Sequence, residues 1–352
     1  HLSIRRQRQM CIRDRSASGR IKLELSAADI NASVRNTGQI VAQSGQVFMQ
    51  AQALNQAMAT VLQSGSIDTS GVRGGAVHVL SDGGTIKVDG SITANSSGTD
   101  DKGQTQKGGV IVIGRDEETG VLARKTDASG AMLESQRGFV ETSGEHLVTM
   151  GARVKAAEWL LDPTNITIAA SAPSGTTYAN SYSAGEDSVI LASDIVSSLN
   201  AGTSVTIATT ASGSSDGNIA VNASIAKTSG GNATLTLRAH NDIIVAANTT
   251  ISSTVGALNV VLNSDLDGNS AGAIVMNTGS GITSLGGNIT LGGGSAGNGT
   301  GYAYGYNASS RYTGVSITGG TLAAAGGNIS IHGQGNTTFA NVNNMRGVDL
   351  SG

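Results

Sequence analysis

The sequence predicts an all-β chain wound as a right-handed parallel β-helix, and three observations carry that prediction. Apolar and small polar residues alternate in runs of three to five, as in Ala76-Val-His-Val-Leu80 and Thr85-Ile-Lys-Val88. That period of two belongs to strands with one buried face. The runs are divided by Gly, Asn and Asp, which tolerate the left-handed backbone angles of tight corners. The unit also recurs: Ile40, Ile67 and Ile92, each preceded by Gly-Gln or Gly-Ser, lie 27 and 25 residues apart. Such a repeat marks a solenoid, in which no coil buries its apolar face alone and stacking makes the core continuous.

Bulk composition supports the same class. Charged residues make up 13% of the 352 residues and aromatics 3%, against roughly a quarter charged in ordinary globular domains. Low charge argues against disorder. Glycine is abundant at 50 residues but has no three-residue period, and proline occurs twice, which excludes collagen. Scarce proline suits strands that hydrogen-bond to a neighbour on each side. A β-sandwich, the alternative architecture, would show longer strands, more aromatics and clearer hairpin signals. The net charge of −3 offers no field to attract nucleic acid. A lone cysteine, Cys11, rules out an internal disulfide framework.

Taken in order, residues 1–15 carry five arginines and the sole cysteine. They resemble translated sequencing-adapter read-through and are expected to be artefactual or disordered. The protein is then expected to extend beyond both ends of the sequence. Residues 16–162 form a first β-helical segment, with one short helix expected near 50–63, where Leu54, Ala57, Met58, Val61 and Leu62 have helical spacing. Polar stretches 95–108, 114–137 and 294–313 read as inserted loops. Near residue 162 the charge density drops: residues 1–162 hold 18 Lys+Arg and 17 Asp+Glu, residues 163–352 hold 4 and 8. Trp159 and Pro163 mark this junction. Residues 163–352 continue as a Gly/Ser/Thr/Asn-rich β-helix, with Ser204-Val-Thr-Ile207, Asn218-Ile-Ala-Val221 and Ala233-Thr-Leu-Thr-Leu237 as strands. Gly-Gly-Asn288-Ile-Thr-Leu291 recurs as Gly-Gly-Asn328-Ile-Ser-Ile331.

Several of these stretches carry a family resemblance. The run Asn36-Thr-Gly-Gln-Ile-Val-Ala-Gln-Ser-Gly-Gln-Val-Phe-Met-Gln-Ala51, with Gly65-Ser-Ile-Asp-Thr69, resembles the filamentous-haemagglutinin-like exoproteins of bacterial two-partner secretion, in or just after their haemagglutination-activity domain. Gly138-Phe-Val-Glu-Thr-Ser-Gly144 and Glu158-Trp-Leu-Leu-Asp-Pro-Thr-Asn-Ile-Thr-Ile168 are similar to another stretch of that family, the second being the most specific. The resemblance covers nearly all of 20–352. It implies a secreted β-helical adhesin, exported through an outer-membrane β-barrel transporter and displayed at the cell surface, where it meets host or bacterial glycans or proteins. The family's Asn-Pro secretion motifs are absent, so that region is expected upstream. A contact-dependent toxin's stalk would look the same over this stretch.

No enzyme motif is present, and neither a cofactor nor a metal is implied. The five histidines stand singly and read as solvated or turn residues. No HExxH, Cys/His cluster, P-loop or GxSxG occurs. Gly297-Asn-Gly-Thr-Gly301 lacks the strand-to-helix context of a phosphate cradle and reads as a flexible loop. Asn263-Ser-Asp-Leu-Asp-Gly268 opens like a calcium loop, but Ile274 stands where a glutamate is needed, so it reads as a turn. Asp116-Glu-Glu118 reads as a solvated loop. A carbohydrate-active β-helix enzyme, the alternative function, needs carboxylates or basic residues clustered on one sheet face. The candidate ligand contacts are Tyr302, Tyr304, Tyr306 and Tyr312, four of the six tyrosines, with Arg311 as a candidate contact for an anion. Tyrosine offers a flat apolar face with a polar tip, useful for gripping sugars or proteins.

Overall fold

Each alternating run becomes a strand, and each strand pairs in parallel with the strand one coil away. In a computed structural model the chain is a parallel β-helix. The structure describes residues 32–53, 56–99, 102–172, 188–210, 216–306, 311–336 and 345–352, together with the backbone of Ile12–Asp14 and Arg20–Leu25. Ile12–Asp14, within the segment expected to be artefactual or disordered, pairs with Ile40–Ala42. The rest of 1–15 lies outside the described residues.

The coils have three faces. A long face runs through Gln46–Ala51, Ala76–Leu80, Val110–Ile113, residues 139–143, residues 158–162, Ser204–Ala208, Ala233–Arg238, Leu258–Ser264, Ile289–Gly293 and Ile329–Ile331. A second face begins with Ser33–Asn36, Thr60–Gln63, Thr85–Val88, Lys125–Asp127 and His146–Val148. The third carries Gln39–Ala42, Ser66–Asp68, Ser91–Thr93 and residues 132–135.

Register explains the repeat. Ile40 pairs with Ile67 and Ile67 with Ile92, all at 2% exposure or less. Val205 and Ile219 are likewise buried. The two Gly-Gly-Asn repeats stack in the same register, with Ile289 buried and Ile329, its partner in the last long-face strand, 45% exposed. Burying each of the isoleucines up to Ile289 contributes about 1.5–3 kcal/mol, and the column continues through the coils. Side-chain amides stitch the corners. Asn259 Oδ1 accepts the Asn288 amide at 2.9 Å, and Asn288 Oδ1 accepts the Asn328 amide at 2.9 Å. On the second face, Asn218 Oδ1 accepts the Asp242 amide at 3.0 Å, and Asp242 Oδ1 accepts the Ala273 amide at 2.7 Å. Glycine is required where corners nearly touch: a Cβ on Gly65 would fall on Gly38 O, and one on Gly90 on Gly65 O.

Two expectations change. The helix near 50–63 shrinks to one 3-10 turn, Gln56–Met58. Gln46–Ala51 and Thr60–Gln63 on either side are strands, because pairing with Ala76–Leu80 and Thr85–Val88 outweighs the helical spacing. Leu54 and Asn55 lie outside the described residues. The loop expected over 114–137 is also shorter. Lys125–Asp127 completes a coil and Met132 opens the next strand.

The α-helix sits elsewhere, at Ala192–Asn200, and takes a strand's place on the third face between residues 153–156 and Ile225–Lys227. Ala192, Ile195 and Leu199 bury one stripe of it. Asp194 in its first turn favours the helix dipole and accepts the Gly151 amide at 3.2 Å, tying the helix to the coil below. Just before it the chain doubles back. Ser188–Leu191 slots between His146–Val148 and the earlier Ile166–Ala169, which then pairs with Ile219–Val221. The second face therefore holds one more strand here than the long face, adding about 4.8 Å to that side.

Candidate functional site

Among the described residues, the loop expected over 95–108 leaves the third face and is closed by a Thr99–Thr105 bridge, and two further loops leave the long face. In the first, residues 114–124, the chain folds back over the outward side of the sheet. Arg115 bridges Leu122, and Arg115 Nη1 donates to Asp162 Oδ2 at 2.7 Å. Asp162 is 3% exposed, and burial raises its carboxyl from 3.8 to about 6 despite the adjacent guanidinium. Glu141, on the neighbouring strand, is also buried and raised by burial, with the Ser143 hydroxyl donating to it at 2.7 Å. Glu117 and Glu118 at the loop tip are exposed, and Asp116 Oδ1 accepts the Glu118 amide at 2.8 Å, as a solvated turn requires. The arrangement is a clasp whose charges face each other under the loop.

The second loop holds the sequence-predicted contacts. Ala303–Tyr304 is a short strand paired in parallel with Gly333–Gln334. Tyr304 exchanges two backbone hydrogen bonds with Gly272, at 2.8 and 3.2 Å. Two residues apart on a strand, Tyr302 and Tyr304 share one side, while Ala303 between them is fully buried. The rings of Tyr302 and Tyr304 meet edge-to-face at 6.4 Å, and His332 meets Tyr302 at 6.5 Å. Tyr302 is 52% exposed. His332 Nε2 lies 2.7 Å from the Ser330 hydroxyl. Tyr312 is half-buried.

Tyr306 and Arg311 have a different role. The Tyr306 hydroxyl donates to Asp242 Oδ2 at 2.8 Å, and Arg311 Nε stands 2.6 Å from the same oxygen. Asp242 is almost fully buried, and burial raises its carboxyl pKa. Burial and the Asp242 charge push the Tyr306 hydroxyl up to about 12. These two side chains anchor the loop. The anion contact expected of Arg311 is thus already occupied by an internal carboxylate.

The remaining motifs resolve as follows. Asp265 Oδ1 accepts the Ser270 and Ala271 amides at 3.0 and 3.3 Å, so the calcium-loop mimic is a turn closed on itself. The glycine loop expected to be flexible is tied down. The Gly299 amide donates to Asn263 Oδ1 at 2.8 Å, and Arg238 Nε donates to Gly297 O at 2.9 Å. Two histidines expected as solvated or turn residues lie on strands instead. His78 stacks on Phe48 at 4.5 Å, and His146 is 6% exposed. Lys227 is fully buried, and its ammonium donates to the carbonyls of Ser229, Gly230 and Val255 at a corner.

Sequence reading missed His332, Asp242 and the Arg115–Asp162 pair. Only coil stacking brings them to their partners across long sequence separations. Among the described residues, no group of three or more His, Cys, Asp or Glu could hold a metal ion, and no helix is long and apolar enough to cross a membrane. No protein-family model matches the chain, and no curated protein matches it.

Proposed function

We propose that the chain is a non-enzymatic binding rod, part of a secreted bacterial surface adhesin that meets host or neighbouring cells. The observation that carries this reading is the pairing of a continuous stacked core with an aromatic group, Tyr302, Tyr304 and His332, gathered around the anchored Ala303–Tyr304 strand. A solenoid of this kind is stiff along its axis and presents surface loops at fixed positions. The resemblance in Glu158-Trp-Leu-Leu-Asp-Pro163 adds export through an outer-membrane β-barrel transporter to the proposal. Beads coated with the purified chain should adhere to epithelial or bacterial cells above albumin-coated controls. Adherence equal to the controls would refute the reading.

One observation favours a second reading, a carbohydrate-active β-helix enzyme. Glu141 and Asp162 are neighbouring carboxylates on one sheet face, both raised by burial, as a general acid must be. Both are at most 5% exposed beneath the 114–124 loop, which leaves a polymer no access. Incubation with pectin, alginate and chitin separates the readings. Turnover that Asp162→Asn abolishes would establish the enzyme.

A further inference from the structure

We propose that Tyr302, Tyr304 and His332 form a platform for the C–H face of a neutral hexose in a surface glycan. The proposal deepens the adhesive reading and rests on it. A pyranose has one side of axial C–H bonds and a rim of hydroxyls, so its binding site needs an exposed ring face beside short polar groups. Tyr302 supplies the ring at 52% exposure. The Tyr304 ring meets it edge-on at 6.4 Å, and His332, its Nε2 2.7 Å from the Ser330 hydroxyl, meets it at 6.5 Å, so polar groups adjoin the ring.

Rigidity separates this cluster from an ordinary surface aromatic. The strand that carries it is fixed on one side by pairing with Gly333–Gln334 and on the other by the two bonds to Gly272. Beyond it, Tyr306 and Arg311 are both fastened to Asp242. Rings held in place before binding lose little conformational freedom on capture, which favours a weakly interacting ligand such as a sugar.

Charge selects among sugars. Residues 296–310 and 327–336 contain no Lys, Arg, Asp or Glu, and the nearby Arg311 is ion-paired to Asp242. A sialylated or sulfated glycan finds no partner cation in these segments, whereas a neutral one needs none. A protein ligand would need a larger interface than three side chains and their rim.

The test uses the full chain on an immobilised panel of lactose, N-acetyllactosamine, cellobiose and mannobiose, with sialyllactose as the charged comparator. At least one neutral disaccharide should bind better than sialyllactose. Tyr302→Ala should weaken that binding about tenfold or more, while Tyr302→Phe, which keeps the ring, should retain most of it. Matching urea unfolding curves would show that both variants fold. Binding to none of the neutral sugars, or equal binding by Tyr302→Ala and the parent, would overturn the proposal. Cell adherence measured in parallel separates the two claims. A parent that adheres to cells but binds none of the neutral sugars removes the platform and leaves the adhesin. Sugar binding lost in Tyr302→Ala without any cell adherence removes the adhesin and leaves the platform.

Discussion

Replacing Asp162 with asparagine should stabilise the protein at neutral pH, although the substitution removes an ion pair. Asp162 is 3% exposed and titrates at about 6 rather than 3.8, because burial outweighs the attraction of Arg115. Between those pH values the folded chain holds a proton that the unfolded chain has released. Raising the pH through that window therefore favours unfolding. Its stability contribution is fully present below 3.8 and lost as pH rises through about 6. A displacement of this size corresponds to about 3 kcal/mol at most. Asparagine has nearly the shape of the protonated acid and never ionises, so the variant escapes that loss. Urea unfolding followed by the fluorescence of Trp159, three residues away on the same strand, measures it. The parent and Asp162→Asn should have similar midpoints at pH 4, and the variant should lie up to about 3 kcal/mol higher at pH 7.5. If the ion pair were instead a net support, Asp162→Asn would lose about 3–5 kcal/mol at pH 7.5. Such a loss would show that the Arg115–Asp162 attraction exceeds the cost of burying the carboxylate.

Other predictions follow from the same geometry. The parent itself should unfold at higher urea at pH 4.5 than at pH 7.5. Among the described residues, Asp194 and Asp265 are also raised to about 6 by burial, and Glu141, Glu145, Asp82 and Asp242 are raised too, which outnumbers the two groups that burial lowers and that pull the other way, His240 below 6.5 and Lys227. Gly90→Ala should cost about 1–3 kcal/mol in urea unfolding, since its Cβ meets the Gly65 carbonyl of the coil below. Trp159→Phe should cost about 1–2 kcal/mol, because the fully buried indole Nε1 donates to the Thr142 hydroxyl at 3.0 Å and phenylalanine leaves that hydroxyl unpaired. Asp242→Ala should release Tyr306 and Arg311, and limited trypsin digestion should then cut at Arg311 faster than in the parent.

The fold was legible because the repeat is written in side chains that touch. The isoleucines at 40, 67 and 92 are spaced by one coil, and each lies on the next. The helix was misplaced for a physical reason. Residues 50–63 have helical spacing but sit where neighbouring coils offer strand partners on both sides of a corner. Residues 192–200 carry only three buried apolar positions in a Ser-rich run, and they fold as a helix in a gap left by the doubled-back strand. The tyrosine cluster was visible as a density of one residue type, but its division into platform and anchor was not. That division depends on Asp242, sixty-four residues before Tyr306. Likewise nothing local to Arg115 points to Asp162, forty-seven residues on.

Disulfide trapping tests the parallel stack most directly. Ser66 pairs with Ser91 and Asp68 with Thr93 across adjacent coils. Neighbouring strands lie about 4.8 Å apart, within reach of a disulfide. Four double-cysteine variants in a Cys11→Ser background decide the direction. Parallel stacking gives rapid cross-linking under mild oxidation for 66/91 and 68/93, and little for 66/93 and 68/91. Efficient linking of 66/93 and 68/91 instead would mean antiparallel strands, and the coiled stack would be wrong.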